Sequence, residues 1–178
     1  MTDDGLTATL QMCQLFHGLT VEERKQIEEL MTIEHHPAGA EIIHEGGDSQ
    51  SLWLIVRGVC KVARCNHLGQ CKHLATLEAG SLFGEMSFLH SAPHSASVRT
   101  EAAVVLWRLT RERFERLHTH QPRIAYVVLS NLVTILSQRL RKMDDWVCTI
   151  MEHNAEPVRH REEWTEFRSR LFGDWNLM

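Results

Sequence analysis

The sequence has no apolar run long enough to cross a membrane and no excess of positive charge. Its longest apolar runs, such as Ala102–Trp107, have the length of a core strand, whereas a membrane span needs about 18 apolar residues or more. The net charge of −4 argues against nucleic-acid binding, which usually needs a basic face. The chain starts Met-Thr-Asp-Asp-Gly with no apolar stretch behind it, so we expect no signal peptide and a cytoplasmic protein without membrane insertion.

Motifs of catalysis and of disulfide-rich folds are missing as well. The sequence has no Gly-x-Ser-x-Gly elbow, no Walker loop and no dinucleotide fingerprint, so we predict that the chain is not an enzyme. Five cysteines at irregular spacing favour free thiols over a disulfide framework. Cys60, Cys65 and Cys71 surround one predicted hairpin, but their spacing matches no zinc pattern. Ordinary strand cysteines are the preferred interpretation, and a redox role for this hairpin stays open.

What is present is the composition of a folded globular chain. Hydrophobic residues make up 43% of the 178 residues and charged residues 24%, which excludes a disordered or fibrous protein. This length predicts one domain, or one domain with an appendage.

The stretch from 37 to 109 has the glycine and proline spacing of a β domain. Glycine and proline interrupt short apolar runs at intervals of roughly ten residues. This spacing predicts a sandwich or small barrel, because a parallel sheet would need helix-length connections. A hairpin is expected through Asn66–Gln70, with Gly69 in its turn. The predicted strands are Glu41–His44, Ser51–Val56, Val59–Ala63, Lys72–Leu77, Ala96–Arg99 and Ala103–Leu109.

Helical patterns flank the β region. A helix is predicted over 19–34, with Thr20 and Glu23 as its capping box. Thr110 can cap a second helix, Arg111–Thr119. Pro122 suits the first turn of a long helix that we expect over 122–152.

The long helix carries an unusually regular apolar stripe. Its residues recur at alternating spacings of three and four without a polar break, which is typical of a helix packing against another helix. We predict a homodimer through this stripe, and packing within one chain is the alternative. Extra apolar residues in the first half, Val128, Leu132 and Ile135, are expected to contact the β domain. The predicted dimer seam is Tyr126, Leu129, Val133, Leu136, Leu140, Met143, Val147 and Ile150.

The most informative segment runs from Gly80 to Val98. Gly84 permits a tight turn, after which Glu85–Leu89 can begin a helical turn with free N–H groups that form an anion site. Glu85 is an acceptor suited to a ribose hydroxyl, and the small Ser95 and Ala96 permit a close approach of a ligand. A Gly-Glu loop also occurs as a plain turn, so spacing alone leaves both interpretations open.

This segment resembles the phosphate-binding cassette of the cyclic nucleotide-binding domain family, and we call it the cassette. That family includes catabolite-activator-type regulators and protein kinase A regulatory subunits. The matching residues are Phe83-Gly84-Glu85, the four residues after them, and Pro93-His94-Ser95-Ala96-Ser97-Val98. Upstream, Gly39–Gly46 and Leu52–Gly58 are similar to the family's first hairpins.

The resemblance implies a mainly β fold, a double-stranded β-helix or jelly-roll-like β-roll, with an N-terminal helix and a long C-terminal helix. It places the cyclic nucleotide-binding domain at 15–150, after an N-terminal extension over 1–14. Residues 153–178 are then an amphipathic tail, with Trp164, Phe167, Leu171 and Trp175 at helical spacing. The family's transcription regulators continue into a helix-turn-helix domain, which this sequence does not contain, so we expect no direct DNA binding.

The resemblance also implies roles for individual residues. Glu85 would bind the ribose 2′-hydroxyl, amides near Met86 and Ser87 would hold the cyclic phosphate, and Ser95 would add a hydroxyl or amide. Leu74 would line the base pocket. The expected ligand is cAMP or cGMP, with no further cofactor. The implied ligand-binding residues are Leu74, Phe83, Gly84, Glu85, Met86, Ser87, His94, Ser95 and Ala96.

One position departs from the family pattern, because His94 stands where the family has its phosphate-binding arginine. Arginine is always charged and binds phosphate at two points, whereas histidine is mostly neutral near pH 7. Losing one charge-assisted hydrogen bond costs roughly 1.5–3 kcal/mol, or about ten- to a hundredfold in affinity. We therefore predict weak, pH-sensitive or altered ligand binding, with signalling through the long helix and tail to a protein partner.

Two other functions compete with this interpretation. The first is a dimeric interaction scaffold of the same fold that binds no ligand. The second, more distant, is a metal-binding β-barrel enzyme, suggested by the 12 histidines. His35 and His36 are adjacent, however, and adjacent side chains of a strand point to opposite faces. We predict no metal site.

Overall fold

The computed structural model describes residues 13–65 and 69–153, with side chains up to residue 149. The chain divides into two compact units, one ending at Val133 and the other beginning at Thr134. The predicted extension over 1–14 lies almost wholly outside the described residues, and the tail over 153–178 is described only at its first residue. The described residues include no helix with the length and apolar character that crossing a bilayer requires.

The first unit is built on two four-stranded antiparallel sheets. One sheet has the strand order β1-β8-β3-β6 and the other the order β2-β7-β4-β5. Sequence neighbours often lie in different sheets, as in the predicted jelly-roll-like fold. The strands are β1 Thr32–His36, β2 Glu41–Ile43, β3 Ser51–Arg57, β4 Cys60–Cys65, β5 Cys71–Leu77, β6 Leu82–Phe83, β7 Ser97–Thr100 and β8 Val104–Thr110.

Strand β3 is buried on both of its faces. Its residues from Ser51 to Val56 are all buried, although neighbouring side chains point to opposite sides of a strand. One face contributes Trp53 and Ile55 to a buried cluster with strands of the other sheet. The alternate residues Leu52 and Leu54 face the opposite way and are fully buried. We infer that the helices cover this second face, since Ile27, Ile124 and Leu132 are also fully buried.

The first helix is shorter than the sequence pattern predicts. Helix α1 spans Val21–Leu30, and the predicted capping box between Thr20 and Glu23 is confirmed at distances of 2.9 and 3.2 Å. The prediction of helix up to residue 34 is wrong, because β1 begins at Thr32 and pairs with β8. The β-branched pair Thr32 and Ile33 suits a strand, and the extended backbone at Met31 ends the helix.

The remaining elements follow the predicted order. Helix α2 spans Glu85–Leu89, α3 spans Arg111–His120 and α4 spans Pro122–His153. Thr110 caps α3 by accepting a hydrogen bond from the Arg113 amide at 3.3 Å, as predicted. The two-residue strand β6 was not predicted, because a run this short carries no periodicity.

The N-terminal residues of the first unit are fixed by the start of α4. A 3₁₀ turn at Gln14–Phe16 buries Leu15 and Phe16. The Asn131 side-chain amide donates to the carbonyl oxygens of Leu15 and His17 at 2.9 and 2.8 Å. Arg123 of α4 pairs with Glu23 of α1. Val128 and Leu132 are fully buried and Ile135 is half-buried, whereas their predicted contact with the β domain stays a prediction.

The predicted dimer seam is a stripe of uneven exposure. Tyr126, Val133, Leu140 and Met143 are exposed by 51–72%, and Leu129, Leu136 and Val147 are half-buried. The side chain of Ile150 lies outside the described residues. Trp146, which the seam does not include, is 66% exposed. Dimerisation through this stripe stays a prediction.

The prediction of free thiols is wrong for two of the cysteines. Cys65 ends β4, Cys71 begins β5, and the two residues are direct partners in the ladder and form a disulfide bond. Cys13, Cys60 and Cys148 are free. Irregular spacing argued against a framework of several disulfides, but it could not exclude one local bond across a hairpin.

Candidate functional site

The turn within the cassette is formed by a glycine that no other residue can replace without a clash. Gly84 has φ +81° and forms the N-cap of α2. A Cβ at this position would lie 2.6 Å from the Ser51 carbonyl oxygen and 2.7 Å from the ring of Trp53. The left-handed backbone and the close approach of β3 therefore both require glycine here.

The ring of Trp53 packs against this turn. It is 3% exposed, and its ring stacks on Phe83 with centroids 5.6 Å apart and planes inclined by 4°. The Arg108 guanidinium lies 5.5 Å from the ring centroid, and the indole N–H donates to Glu34 at 3.3 Å. These three contacts hold the Trp53 ring, against which Phe83 and the turn at Gly84 pack.

The amides of the first three residues of α2 take no part in the hydrogen bonds of the helix itself. The first hydrogen bond within the helix runs from the Phe88 N–H to the Gly84 carbonyl at 3.0 Å, so the helix ladder does not use the amides of Glu85, Met86 and Ser87. The Glu85 carboxylate is buried, whereas Met86 is 60% exposed. The predicted helical turn after Gly84 is therefore confirmed.

The second part of the cassette lies against this helix. The Ser95 hydroxyl is 3.9 Å from the Met86 sulfur, and Ala96 is half-buried just before β7. The Ser87 hydroxyl is 3.0 Å from Nδ1 of His94. The fold thus brings Phe83–Ser87 and His94–Ala96 together, as the sequence motif implied.

His94 points into the protein and is held at both ring nitrogens. It is 6% exposed, and its Nε2 lies 2.8 Å from the Ser49 hydroxyl while Nδ1 lies beside Ser87. In the neutral ring one nitrogen donates and the other accepts, and a serine hydroxyl can take either role. The imidazole therefore links the loop before β3 to α2 within the protein interior.

The backbone of His94 strengthens the same link. Its N–H donates to the Gly47 carbonyl and its carbonyl accepts from the Gly46 N–H, both at 2.8 Å. Burial lowers the pKa of His94, although a hydrogen bond to the Ser49 backbone and the Asp48 charge act in the opposite direction. The ring is therefore mostly neutral at pH 7, with the hydroxyls of Ser49 and Ser87 as its partners.

Leu74, the remaining predicted ligand-binding residue, lies in the other sheet on β5. The ladder between β4 and β5 pairs Val62 with Ala75 and Ala63 with His73, so Leu74 is the extra residue of a β-bulge. Its side chain is 56% exposed. A bulge interrupts the alternation of side chains along a strand, so the face on which Leu74 lies does not follow from the positions of its neighbours.

Sequence reasoning missed the groups that hold His94 in place. Ser49, Gly46 and Gly47 lie about 45 residues before it in the chain and belong to a loop, where no periodic pattern marks a contact. Trp53 was expected only as a strand residue. The double glycine before a strand was the one available signal, because it indicates a close backbone approach.

Two surface cavities are lined by residues other than the predicted ligand-binding residues. One, of 330 Å³, adjoins Ser49, Ser51 and Arg108 near the start of α3. The other, of 440 Å³, is lined by His35, His36, Arg57 and neighbouring residues. Within the part of the chain that the structure describes, no group of three His, Cys, Asp or Glu side chains is placed to hold a metal ion.

Comparison with known proteins points to one family. The model of the "Cyclic nucleotide-binding domain" family matches residues 33–121. The chain is 35% identical over 130 residues to the cyclic AMP receptor protein of Thermus thermophilus, covering 73% of this chain and 58% of that protein. It is 30% identical over 134 residues to the cAMP-dependent protein kinase type II regulatory subunit of Drosophila melanogaster, covering 74% of this chain and 34% of that protein.

A solved structure agrees with these relatives. The catabolite activator protein of Thermus thermophilus superposes with a TM-score of 0.68 at 34% identity, covering 77% of this chain and 62% of that one. The chain therefore spans less than two thirds of the length of each of these relatives. The jelly-roll-like architecture predicted from the sequence is confirmed.

Proposed function

The chain belongs to the cyclic nucleotide-binding domain family, and on this basis we propose that it is a regulatory module that binds a cyclic nucleotide weakly and in a pH-dependent way. The observation that carries the proposal is the junction of the two halves of the cassette, Phe83–Ser87 and His94–Ala96, in one folded site. The relatives named for cyclic AMP support cAMP as the first ligand to test, and cGMP as the second.

The phosphate of the ligand would be held mainly by backbone groups. The amides of Met86 and Ser87 and the hydroxyl of Ser95 offer hydrogen bonds without a cation. Glu85 would accept from the ribose 2′-hydroxyl, and Leu74 would contact the base. His94 does not replace the family's arginine in this structure, because both of its ring nitrogens already have hydroxyl partners.

Proton uptake by His94 would improve this site. A protonated ring can donate to both serine hydroxyls, so the hydrogen-bond network tolerates the added charge. A positive charge beneath the cassette attracts a phosphate, and the bound phosphate in turn raises the pKa of His94. Affinity for cAMP is therefore expected to rise as the pH falls from about 7.5 to 6. Asp48 is the charged group that also acts on this ring.

A second candidate function is the dimeric scaffold that binds no nucleotide. The burial of His94 at 6% exposure favours it, because the side chain at the arginine position serves the fold. In either case we propose that the exposed stripe of α4 pairs with a second copy of the chain. Signalling to a further protein partner and a cytoplasmic location stay predictions.

Calorimetric titration with cAMP, cGMP and cyclic dinucleotides separates the two functions. The proteins are the wild type, His94→Arg, and His90→Arg as a control that adds the same charge at an exposed position nearby. For the sensor we expect weak wild-type binding of a cyclic nucleotide, about ten- to a hundredfold tighter binding by His94→Arg, and no change in His90→Arg.

Binding by His94→Arg alone would establish the scaffold, because the pocket would then be intact but unused. If neither the wild type nor His94→Arg binds any of these ligands, the sensor is excluded.

A further inference from the structure

The disulfide between Cys65 and Cys71 lies at the outer end of the β4–β5 hairpin. Both residues are exposed, so a small thiol in solution can reach their sulfur atoms. Seven residues, from Cys65 to Cys71, close the loop that the bond makes. Disulfides inside the cytoplasm are usually transient or regulatory, because thiols are kept reduced there.

The other cysteines are chemically distinct from this pair. Burial raises the pKa of Cys60 to about 11, and burial also raises the pKa of Cys13 against the effect of the Leu15 amide. Both thiols are therefore protonated and shielded at pH 7. Cys148 is free and exposed, which provides an internal reference for a reactive thiol.

A short series of contacts joins the disulfide to the cassette. The Cys65 amide donates to the Glu45 carboxylate at 2.9 Å, and Arg64 lies 3.4 Å from the other oxygen of that carboxylate. The Glu45 amide donates to the Ser97 hydroxyl at 2.9 Å, just behind Ser95 and Ala96. Glu45 thus ties the end of β4 to the cassette.

The same loop continues directly into the residues that hold His94. Gly46 and Gly47 follow Glu45 and form the paired backbone bonds with His94 at 2.8 Å. A change in the position of Cys65 therefore acts on the cassette through one carboxylate and the two glycines that follow it.

We propose that Cys65 and Cys71 form a thiol–disulfide exchange site for low-molecular-weight thiols of the glutathione class, and that opening it loosens the loop that positions His94. The effect on ligand affinity rests on the proposed function, whereas the exchange chemistry and the loosening do not.

The exchange consumes two thiols and conserves electrons. A thiolate of the small molecule attacks one sulfur of the pair, forming a mixed disulfide and releasing the other cysteine as a thiolate that takes up a proton. A second small thiolate attacks the mixed disulfide and releases the second cysteine. The products are two protein thiols and one small-molecule disulfide, so the two electrons and two protons that the small thiols lose are gained by the two cysteines.

Alkylation of the full-length chain with iodoacetamide, followed by peptide mapping, tests the exchange. Without reductant we expect labelling at Cys148 and none at Cys65 or Cys71. After incubation with reduced glutathione, Cys65 and Cys71 should be labelled as fully as Cys148, while Cys13 and Cys60 stay unlabelled. Labelling of Cys65 and Cys71 before reduction, or none after it, would overturn the proposal.

Hydrogen exchange on the ligand-free protein tests the coupling separately. The oxidised wild type is compared with its reduced form and with Cys65→Ser/Cys71→Ser, while Cys148→Ser serves as the control. We expect faster exchange of the amides of Gly46 and His94 in the two open forms only. Equal exchange in all forms would refute the coupling, whether or not the chain binds a nucleotide.

A cAMP titration of the same proteins then measures the consequence for the site. Loosening of the loop is expected to cost about as much binding free energy as one hydrogen bond. This predicts a two- to tenfold weaker affinity for cAMP in the open forms. Equal affinities in open and closed forms would contradict this coupling to the site. Absence of binding in every form, with the expected change in hydrogen exchange, would instead reject the proposed function and leave the exchange site standing.

Discussion

The cassette buries its central polar side chain, whereas α4 beyond Val133 leaves large apolar side chains in contact with solvent. His94 is 6% exposed and both of its ring nitrogens have partners within the chain. Leu140, Met143 and Trp146 are each more than 50% exposed. The polar side chain of the first region has its partners within one copy of the chain, whereas the second region exposes the apolar surface through which we propose that two copies pair.

The difference shows that an unusual residue and an unusual pattern have different structural consequences. His94, which the family resemblance places at the arginine position, has two serine hydroxyls as partners within the chain. The unbroken apolar stripe places a large apolar surface in water.

The largest effect is expected for Gly84→Ala. The left-handed backbone costs about 1–2 kcal/mol for alanine, and the clash with Ser51 and Trp53 adds about 1–3 kcal/mol. Gly80→Ala is the matched control, because Gly80 also has a positive φ but has nothing within 4 Å of its added Cβ. Urea denaturation should give a loss about 1–3 kcal/mol larger for Gly84→Ala. Equal losses would show that the cassette is loosely packed.

Leu136→Lys is expected to abolish dimerisation. An ammonium group placed in an apolar seam loses its hydration without gaining a partner, which costs several kcal/mol. Gln138→Lys adds the same charge on another face of α4, where the residue is exposed, and should leave the dimer intact. Sedimentation velocity distinguishes the species. A wild type that sediments as a monomer, or a Leu136→Lys variant of unchanged size, would contradict the predicted seam.

The third prediction concerns the pH dependence of the ligand-free fold. Because burial lowers the pKa of His94, the unfolded chain binds a proton more tightly than the folded chain does. The stabilisation by neutral His94 is complete above about pH 7 and decreases as the pH falls below the unfolded value of about 6.5. The free energy of unfolding of His94→Gln should decrease less over this range. Parallel pH curves would show that His94 titrates as it does in water.

The smallest effect is expected for Ser49→Ala. It removes one hydrogen bond from Nε2 of His94, at a cost of about 1 kcal/mol. The hydrogen bond that raises the pKa of His94 comes from the Ser49 backbone and is retained in this variant. Ser91→Ala, which removes a hydroxyl bonded to Gln50 rather than to His94, is the control. Urea denaturation of both variants measures the loss of stability. A loss in Ser49→Ala no larger than that in Ser91→Ala would show that the Ser49 hydroxyl does not hold the ring.

Much of the site could be predicted from the sequence because its parts are local. The turn at Gly84, the helix after it and the caps at Thr20 and Thr110 each depend on residues within a few positions. The limits of α1 and the strand β1 were missed because pairing with β8, more than 70 residues away, decides that segment. The disulfide was missed for a similar reason, since the register of β4 and β5 places Cys65 opposite Cys71.

The sequence by itself determined the fold class, the helical turn after Gly84 and the caps at Thr20 and Thr110, because short-range spacing and residue type encode them. The tertiary structure alone decided that His94 faces Ser49 and Ser87 rather than solvent, that Leu74 occupies a bulge, and that Glu45 connects the disulfide to the cassette. These outcomes depend on contacts between residues distant in the chain. Such contacts follow from packing and strand register, which no local pattern specifies.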